Sequence, residues 1–383
     1  MMLGLGVNAH ASVTLGLFGL PLVMPEIERH FGVPLAVAGI IGNAPAIGVL
    51  VALVAWGALA DRHGERIVLG AGVGLAALLF AAVAFAGPAW AVIVLLALAG
   101  AAGSAAMVGG GRIVLRWFRP PERGVAMGLR QVSYTLGMAV AAFVLPPVAR
   151  AHGLSGVLLV CAAVSLLAAV LAALFLAEPP HTVAGASAEP ARSPYRQPVL
   201  WRVHATSALH AVPQIVVSTY GVTCLVGLYG WDGVAAGRLF GLSAIAGAVV
   251  RVAVGRWSDR LGLRMRPLLL LTSCCLVVLA LLVAGTVTGS WPGPAMLAAA
   301  SVLTVSGNGL AYLAAGELAG PAWAGKVLGT HNTVQNVVAL AVTPLAGALI
   351  TGTGYWAAFA AGLACAVLSL PVIPVRGERR PGS

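Results

Sequence analysis

Stretches of about twenty apolar residues follow one another along the whole chain, parted by connections too short to be domains. A soluble core has no room for so many. Sixty percent of the 383 residues are apolar and nine percent charged, against roughly 25% charged in soluble domains. Lipid is the solvent that fits. Lipid cannot hydrogen-bond a peptide group, so each spanning segment must satisfy its own backbone, which a helix does. At about 20 residues per span there is room for roughly twelve. The spacing predicts helices over about 5–25, 36–60, 66–87, 90–117, 122–149 and 153–177, and again over about 200–228, 233–257, 266–289, 292–314, 325–351 and 354–375. The fold class read from this is an all-α membrane protein. It has a six-helix N-terminal bundle (1–177), a proline- and serine-rich linker (178–198), a six-helix C-terminal bundle (199–375) and a tail (376–383).

The net charge of +11 has the sign that nucleic acid attracts, but its distribution excludes that class. The cations gather on alternate connections: Arg62 and Arg66, Arg116 to Arg123, Arg192 to Arg202, Arg256 to Arg266, Lys326, and the tail from Arg376. Excess positive charge marks cytoplasmic loops, so both termini are expected in the cytoplasm, in a cell membrane of bacterial type. The five cysteines all lie in apolar runs with no metal-like spacing, and read as small packing residues. No ATP-binding pattern is present. No metal, cofactor or enzymatic chemistry is expected, and the bilayer and a small solute are the expected partners of a chain that works as a monomer.

A ten-residue segment, Gly57-Ala58-Leu59-Ala60-Asp61-Arg62-His63-Gly64-Glu65-Arg66, returns about 198 positions later as Gly255-Arg256-Trp257-Ser258-Asp259-Arg260-Leu261-Gly262-Leu263-Arg264. Glycine, aspartate, arginine, glycine and arginine keep register. A half-chain offset between charged turns marks a duplicated transporter. Gly64 and Gly262 suit a close turn, and Gly57 and Gly255 let the preceding helix approach a neighbour. Asp61 and Asp259 are expected to accept backbone N–H bonds at a nearby helix N-terminus.

This pattern resembles the signature between helices 2 and 3 of the major facilitator superfamily, with its echo between helices 8 and 9. The resemblance covers nearly the whole chain. It implies alternating access, with two pseudo-symmetric bundles rocking about a central site. It also implies that Gly57, Asp61, Arg62, Gly64 and Arg66, and more weakly Gly255, Asp259, Arg260 and Arg264, gate the conformational change on the cytoplasmic side. One departure is that the residue before the last arginine, usually basic, is Glu65 or Leu263 here, which implies a weaker lock. The connection around Trp117-Phe118-Arg119 and Arg123-Gly124-Val125-Ala126-Met127-Gly128 looks like that of the family's anion permeases. The fifth helix lacks the glycine–proline signature of its drug antiporters.

All eleven carboxylates fall at span ends, connections or the tail, so no acid is expected at mid-membrane to bind a cation. Arg130 instead lies about seven residues inside the fifth span. A charge there costs about 2.5–3.5 kcal/mol on insertion scales and should face a cavity or a partner. Arg112 lies nearer a span end and is expected to be structural, snorkelling towards Arg116 and the loop. At an offset of about 201, Arg130, Gln131, Tyr134 and Thr135 correspond to His331, Asn332, Gln335 and Asn336. Positions i, i+1, i+4 and i+5 share one side of a helix. Two repeat-related polar faces are expected to line a central cavity; the alternative is helix–helix hydrogen bonding without a ligand. Weaker stripes run through Thr206, His210, Gln214 and Ser218, through Thr304, Asn308 and Tyr312, and through His10, Thr14 and Asn43.

A guanidinium among amide, hydroxyl and imidazole groups suits a carboxylate or another small anion. The sequence therefore predicts secondary active transport of a small anionic solute. Its expected binding residues are Arg130, Gln131, Tyr134, His331, Asn332, Gln335, His210, Gln214 and Asn308. Protons are the candidate coupling ion, carried by His210 or His331. The rivals are a multidrug or metabolite exporter on the same fold, and a transport-inactive sensor.

Overall fold

The computed structural model describes residues 1–33, 35–177, 193–376 and 378, and among these the chain is all helix and turn. The N-terminal helix α1 (Met2–Phe18) continues through a 3-10 turn (Leu20–Val23) into α2 (Met24–Phe31). A bend of 42° separates the two parts, where Pro21 removes a backbone donor. Next come α3 (Leu35–Ala84), α4 (Ala89–Gly103), α5 (Ala105–Trp117) and α6 (Arg123–Phe175). The later elements are α7 (Pro198–Gly227), α8 (Gly233–Leu261), α9 (Met265–Thr288), α10 (Pro292–Ser306), α11 (Asn308–Ala319), α12 (Ala324–Thr353) and α13 (Tyr355–Ser369).

These elements make the twelve-helix architecture. Both α3 and α6 are two spans joined by a hairpin break. Gly64 (φ 79°) and Gly153 (φ 65°) sit in left-handed territory at the breaks, a conformation a Cβ disfavours. α4 with α5 forms one span, as does α10 with α11. The linker expected over 178–198 lies outside the described residues up to 192. Past that point Pro194–Arg196 forms a 3-10 turn, and α7 begins at Pro198. The tail beyond Arg376, apart from Glu378, also lies outside the described residues.

The chain divides into two compact units. Unit one is Met1–Phe118, Arg130–Arg192 and Ala319–Thr333; unit two is Arg119–Leu129, Ser193–Leu318 and Val334–Ser383. They differ from the sequence halves by an exchange: the first turns of α6 belong with unit two, and those of α12 with unit one. Glycine is the physical reason. In unit one a Cβ on Gly57 would collide with the Gly325 carbonyl, and one on Gly325 with the Gly57 carbonyl. In unit two Gly255 and Gly124 have the same reciprocal relation. Backbone meets backbone at both places, a closeness only small residues allow.

Each unit has its own apolar core. In unit one Val13, Leu17, Leu69, Phe80 and Ile113 are buried together, with the Phe80 ring filling the space a Gly16 side chain would take. In unit two Val217, Leu225, Leu279, Leu297 and Phe359 do the same. Leucines and valines on the opposite faces remain exposed, among them Val51, Leu78, Leu242, Val277 and Leu340. For a helix in lipid that outer face is solvated by acyl chains.

Candidate solute site and the two charged turns

In unit one the turn at Gly64 carries a buried charge cluster. The Asp61 carboxylate accepts backbone N–H bonds from Gly325 (2.8 Å) and Lys326 (3.0 Å). These are first-turn amides of α12, where orphan donors and the helix dipole favour an anion. Arg112 of α5 bonds Asp61 and, at 2.8 Å, Glu65; Arg116 bonds the other Glu65 oxygen at 2.8 Å. Side chains of Arg112, Asp61 and Glu65 are 4–5% exposed. Two expectations are thereby corrected. Arg112 does not snorkel, because two carboxylates hold it inside. Glu65, expected to weaken the turn, instead supplies it with a second buried acid.

Unit two repeats the core of this plan with other partners. Asp259 accepts N–H bonds from Gly124 (2.8 Å) and Val125 (2.9 Å) at the start of α6. Arg264 donates to Asp259 (2.6 Å), to Ser258 (2.9 Å), to the Pro120 carbonyl (2.8 Å) and to Glu317 of α11 (3.3 Å). Burial by itself works against the Arg264 charge, but Glu317 and Asp259 more than offset it and hold the guanidinium above its ordinary pKa. Arg123 reaches Glu317 at 3.5 Å. A tail residue joins in: the Glu378 carboxylate accepts from the backbone N–H groups of Arg264, Met265 and Arg266 at the start of α9.

Arg62 and Arg260 are exposed. Arg66 is exposed as well and donates to the Ala173 carbonyl at 2.7 Å.

Arg130 lies in unit one and is 3% exposed. Its guanidinium donates to the Met107 carbonyl and, at 2.7 Å, to Gln131 Oε1. It packs on the helix at residue 110, where a Cβ added to the glycine would stand 3.4 Å from Arg130 Nε. Gln131 is partly buried, and Tyr134 is exposed with its ring edge-on to Phe18 at 5.6 Å. His331 is fully buried and Asn332 partly so, both in unit one.

The other expected residues meet in unit two. Gln335 donates to Ser207 at 2.6 Å, and Asn308 to Gln214 at 2.7 Å. His210 Nε2 lies 3.0 Å from Thr272 Oγ1 and 3.1 Å from Ser369 Oγ. Both hydroxyls give their single proton to carbonyls, of Leu268 and Ala366. The ring must therefore donate, and Nε2 carries the hydrogen. His210, Thr272, Cys275, Thr304 and Asn308 line a cavity of about 20 Å³, the size of a water molecule. Two residues that turned out to matter, Glu317 and Glu378, were not singled out from the sequence. Glu317 had a signal available, since it stands opposite Arg116 at the offset of about 201; Glu378 had none.

Comparison with known proteins accords with this architecture. The family model described as Major Facilitator Superfamily matches residues 8–344. An uncharacterised MFS-type transporter of Mycobacterium tuberculosis is 40% identical over 379 residues, 98% of this chain and 84% of its own. The Arabidopsis thaliana chloroplastic protein "Probable anion transporter 4" is 31% identical over 121 residues, 31% of this chain and 23% of its own. Among solved structures, the human organic anion transporter MFSD10 (TETRAN) superposes with a TM-score of 0.75 at 16% identity, covering 97% of this chain and 98% of its own. FucP in the outward conformation gives 0.77 at 14%, covering 98% and 99%. At those identities the structural likeness speaks for the fold alone. With the family model matching most of its length and a relative at 40% identity along nearly all of it, the chain belongs to the major facilitator superfamily of membrane transporters.

Proposed function

We propose that the protein is a secondary transporter carrying a small anionic solute by alternating access, with Arg130 receiving the negative charge. The observation that carries this reading is a guanidinium, 3% exposed and well inside a spanning helix, bonded to a backbone carbonyl and an amide oxygen. Arginine does not shed its proton in proteins, so the charge stays and has to be stabilised. A carboxylate or phosphate oxygen arriving at this guanidinium would form charge-assisted bonds stronger than those to neutral oxygens. Gln131, Tyr134, His331, Asn332, Gln335, His210, Gln214 and Asn308 supply the polar groups that would select among anions. The names of two similar proteins, an organic anion transporter and a plant anion transporter, favour the same class.

The two charged turns are the gating elements in this reading, made of Gly57, Asp61, Arg62, Gly64 and Arg66 and of Gly255, Asp259, Arg260 and Arg264, with Arg112 added to them. A carboxylate clasping the first amides of a helix can be released and re-formed as a unit. In this reading both turns and both termini face the cytoplasm in a cell membrane, the side on which basic connections gather. The sequence halves 1–177 and 199–375 act as the two pseudo-symmetric bundles, and one chain suffices.

The test is transport in proteoliposomes. Small carboxylates, gluconate and succinate first, and inorganic phosphate are screened for thermal stabilisation of the purified protein, and the stabilising anions are then labelled for uptake. Arg130→Gln should cut uptake by roughly a hundredfold, the worth of about 2.7 kcal/mol of charge-assisted bonding. Undiminished uptake, or stabilisation by cationic drugs in place of anions, would overturn the reading.

A further inference from the structure

His10, on α1 in unit one, is 4% exposed. Its Nδ1 lies 2.6 Å from Ser133 Oγ, and Ser133 gives its one proton to the Arg130 carbonyl. The hydroxyl oxygen can then only accept from the ring, so Nδ1 carries the imidazole hydrogen. The neutral ring keeps its lone pair on Nε2. Arg130 comes to the same stretch of α1. The space left open by Gly110 is bounded by Arg130 Nε at 3.4 Å and by the Gly6 carbonyl at 3.9 Å, and Gly6 is about one turn before His10.

We infer that His10 is the proton-binding residue of this transporter, its Nε2 taking up a proton together with the anion at Arg130. This rests on Arg130 being the anion site. Protonating His10 beside the Arg130 guanidinium puts two cations in one poorly hydrated place, which their repulsion opposes. An anion on Arg130 removes that opposition. Each therefore strengthens the binding of the other, as linkage requires. The proton comes from the medium onto the Nε2 lone pair and leaves by the same nitrogen, so a monovalent anion crosses with no net charge moved.

The surrounding groups leave Arg130 as the controlling charge. Ser133 on α6 is neutral, and Tyr134 packs on Phe18, two turns along α1. Arg112 on α5 is held by Asp61 and Glu65, and Arg116 by Glu65. The titratable residues of α3 cluster between 61 and 66, and α4 has none. The two imidazoles expected from the sequence are placed differently. His210 lies in unit two, whereas Arg130 is in unit one, and it donates from Nε2 to Thr272 and Ser369; His331 is wholly enclosed.

The experiment compares two modes of transport in proteoliposomes, using the stabilising anion from the gluconate, succinate and phosphate panel. One mode is accumulation driven by an acid exterior. The other is exchange of internal for external anion with no gradient, which needs no net proton movement. His10→Gln should lose accumulation by at least about tenfold, in the range of typical coupling, and keep exchange within about threefold. Ser133→Ala retains the imidazole and removes the acceptor of Nδ1, so it should keep accumulation and shift its pH profile. Intact accumulation in His10→Gln overturns the assignment to His10 and leaves the anion reading standing. Loss of both modes in His10→Gln with an unmoved pH profile in Ser133→Ala also overturns it, leaving His10 a structural part. Undiminished uptake by Arg130→Gln, or no anion stabilising the protein, overturns the anion reading and this inference with it.

Discussion

In unit one the turn contributes the acids, Asp61 and Glu65, and α5 contributes the bases, Arg112 and Arg116. In unit two the turn contributes a base, Arg264, beside Asp259, and the answering acid, Glu317, comes from α11. What stays the same is narrower than the ten-residue repeat. An aspartate clasps two first-turn amides of a helix, at 2.8 and 3.0 Å in one unit and 2.8 and 2.9 Å in the other. An arginine neutralises that aspartate from whichever element can reach it. The repeat therefore specifies a helix cap, and the counter-charge has been free to change sides. Hydration differs too. Both acids facing Arg112 are 4–5% exposed, whereas of the two facing Arg264 Asp259 is 4% and Glu317 25% exposed.

That difference gives the largest expected effect. Arg112→Gln strands buried Asp61 and leaves buried Glu65 with Arg116 alone, and should cost about 3–5 kcal/mol, the range for breaking a buried pair from one side. Arg264→Gln strands one deeply buried acid, Asp259, and leaves Glu317 a quarter exposed and still within reach of Arg123, so it should cost less, about 2–3 kcal/mol. Thermal or denaturant unfolding of the two variants in the same detergent checks the order. Equal losses would break the comparison and mean that burial does not separate the two clusters.

The same two regions show what could be read in the sequence. Span number, the breaks near Gly64 and Gly153 and the cap on each aspartate were legible, because apolar run length, glycine and a local carboxylate are local signals. Partners across helices were not. Arg112 looked like a snorkelling residue because its distance from a span end is visible and the acids packed on it are not. Glu65 looked like a defect because it was compared with a pattern, whereas its worth depends on Arg112 and Arg116 about 50 residues away. At the candidate solute site the depth of Arg130 was legible from its position in the span. The involvement of His10 was not, since it depends on which carbonyl takes the Ser133 proton.

A change that should strike both units alike sharpens the comparison from the other direction. Gly57→Ala and Gly255→Ala each place a Cβ against backbone, of Gly325 in unit one and Gly124 in unit two. Neither neighbour can move a side chain aside, so the helices must separate, at about 1–3 kcal/mol for overpacking. The separation also lengthens the amide bonds to the aspartate. Similar losses for the two variants, with matching increases in hydrogen exchange at amides 325–326 and 124–125, are expected. A large loss in one unit only would mean that the cap, like the counter-charge, differs between them.

The smallest effect belongs to the feature only one unit has. Leu263 stands where the first turn has Glu65, so the start of α9 has no acid of its own, and Glu378 from the tail supplies one to three consecutive amides. Glu378→Gln keeps an acceptor oxygen but removes the charge that interacts with the helix dipole, a loss of about 0.5–1 kcal/mol. Removing the tail after residue 375 also removes the acceptor and should cost up to about 2 kcal/mol. Both losses should shrink in high salt, because an anion at a helix end that is partly open to water is screened. Placing the acid within the turn, as Leu263→Glu, should make truncation less costly if the role of Glu378 is to cap α9. An undiminished truncation cost in the Leu263→Glu background would instead tie Glu378 to the Arg264 network, and would make the difference between the two turns one of tertiary contacts alone.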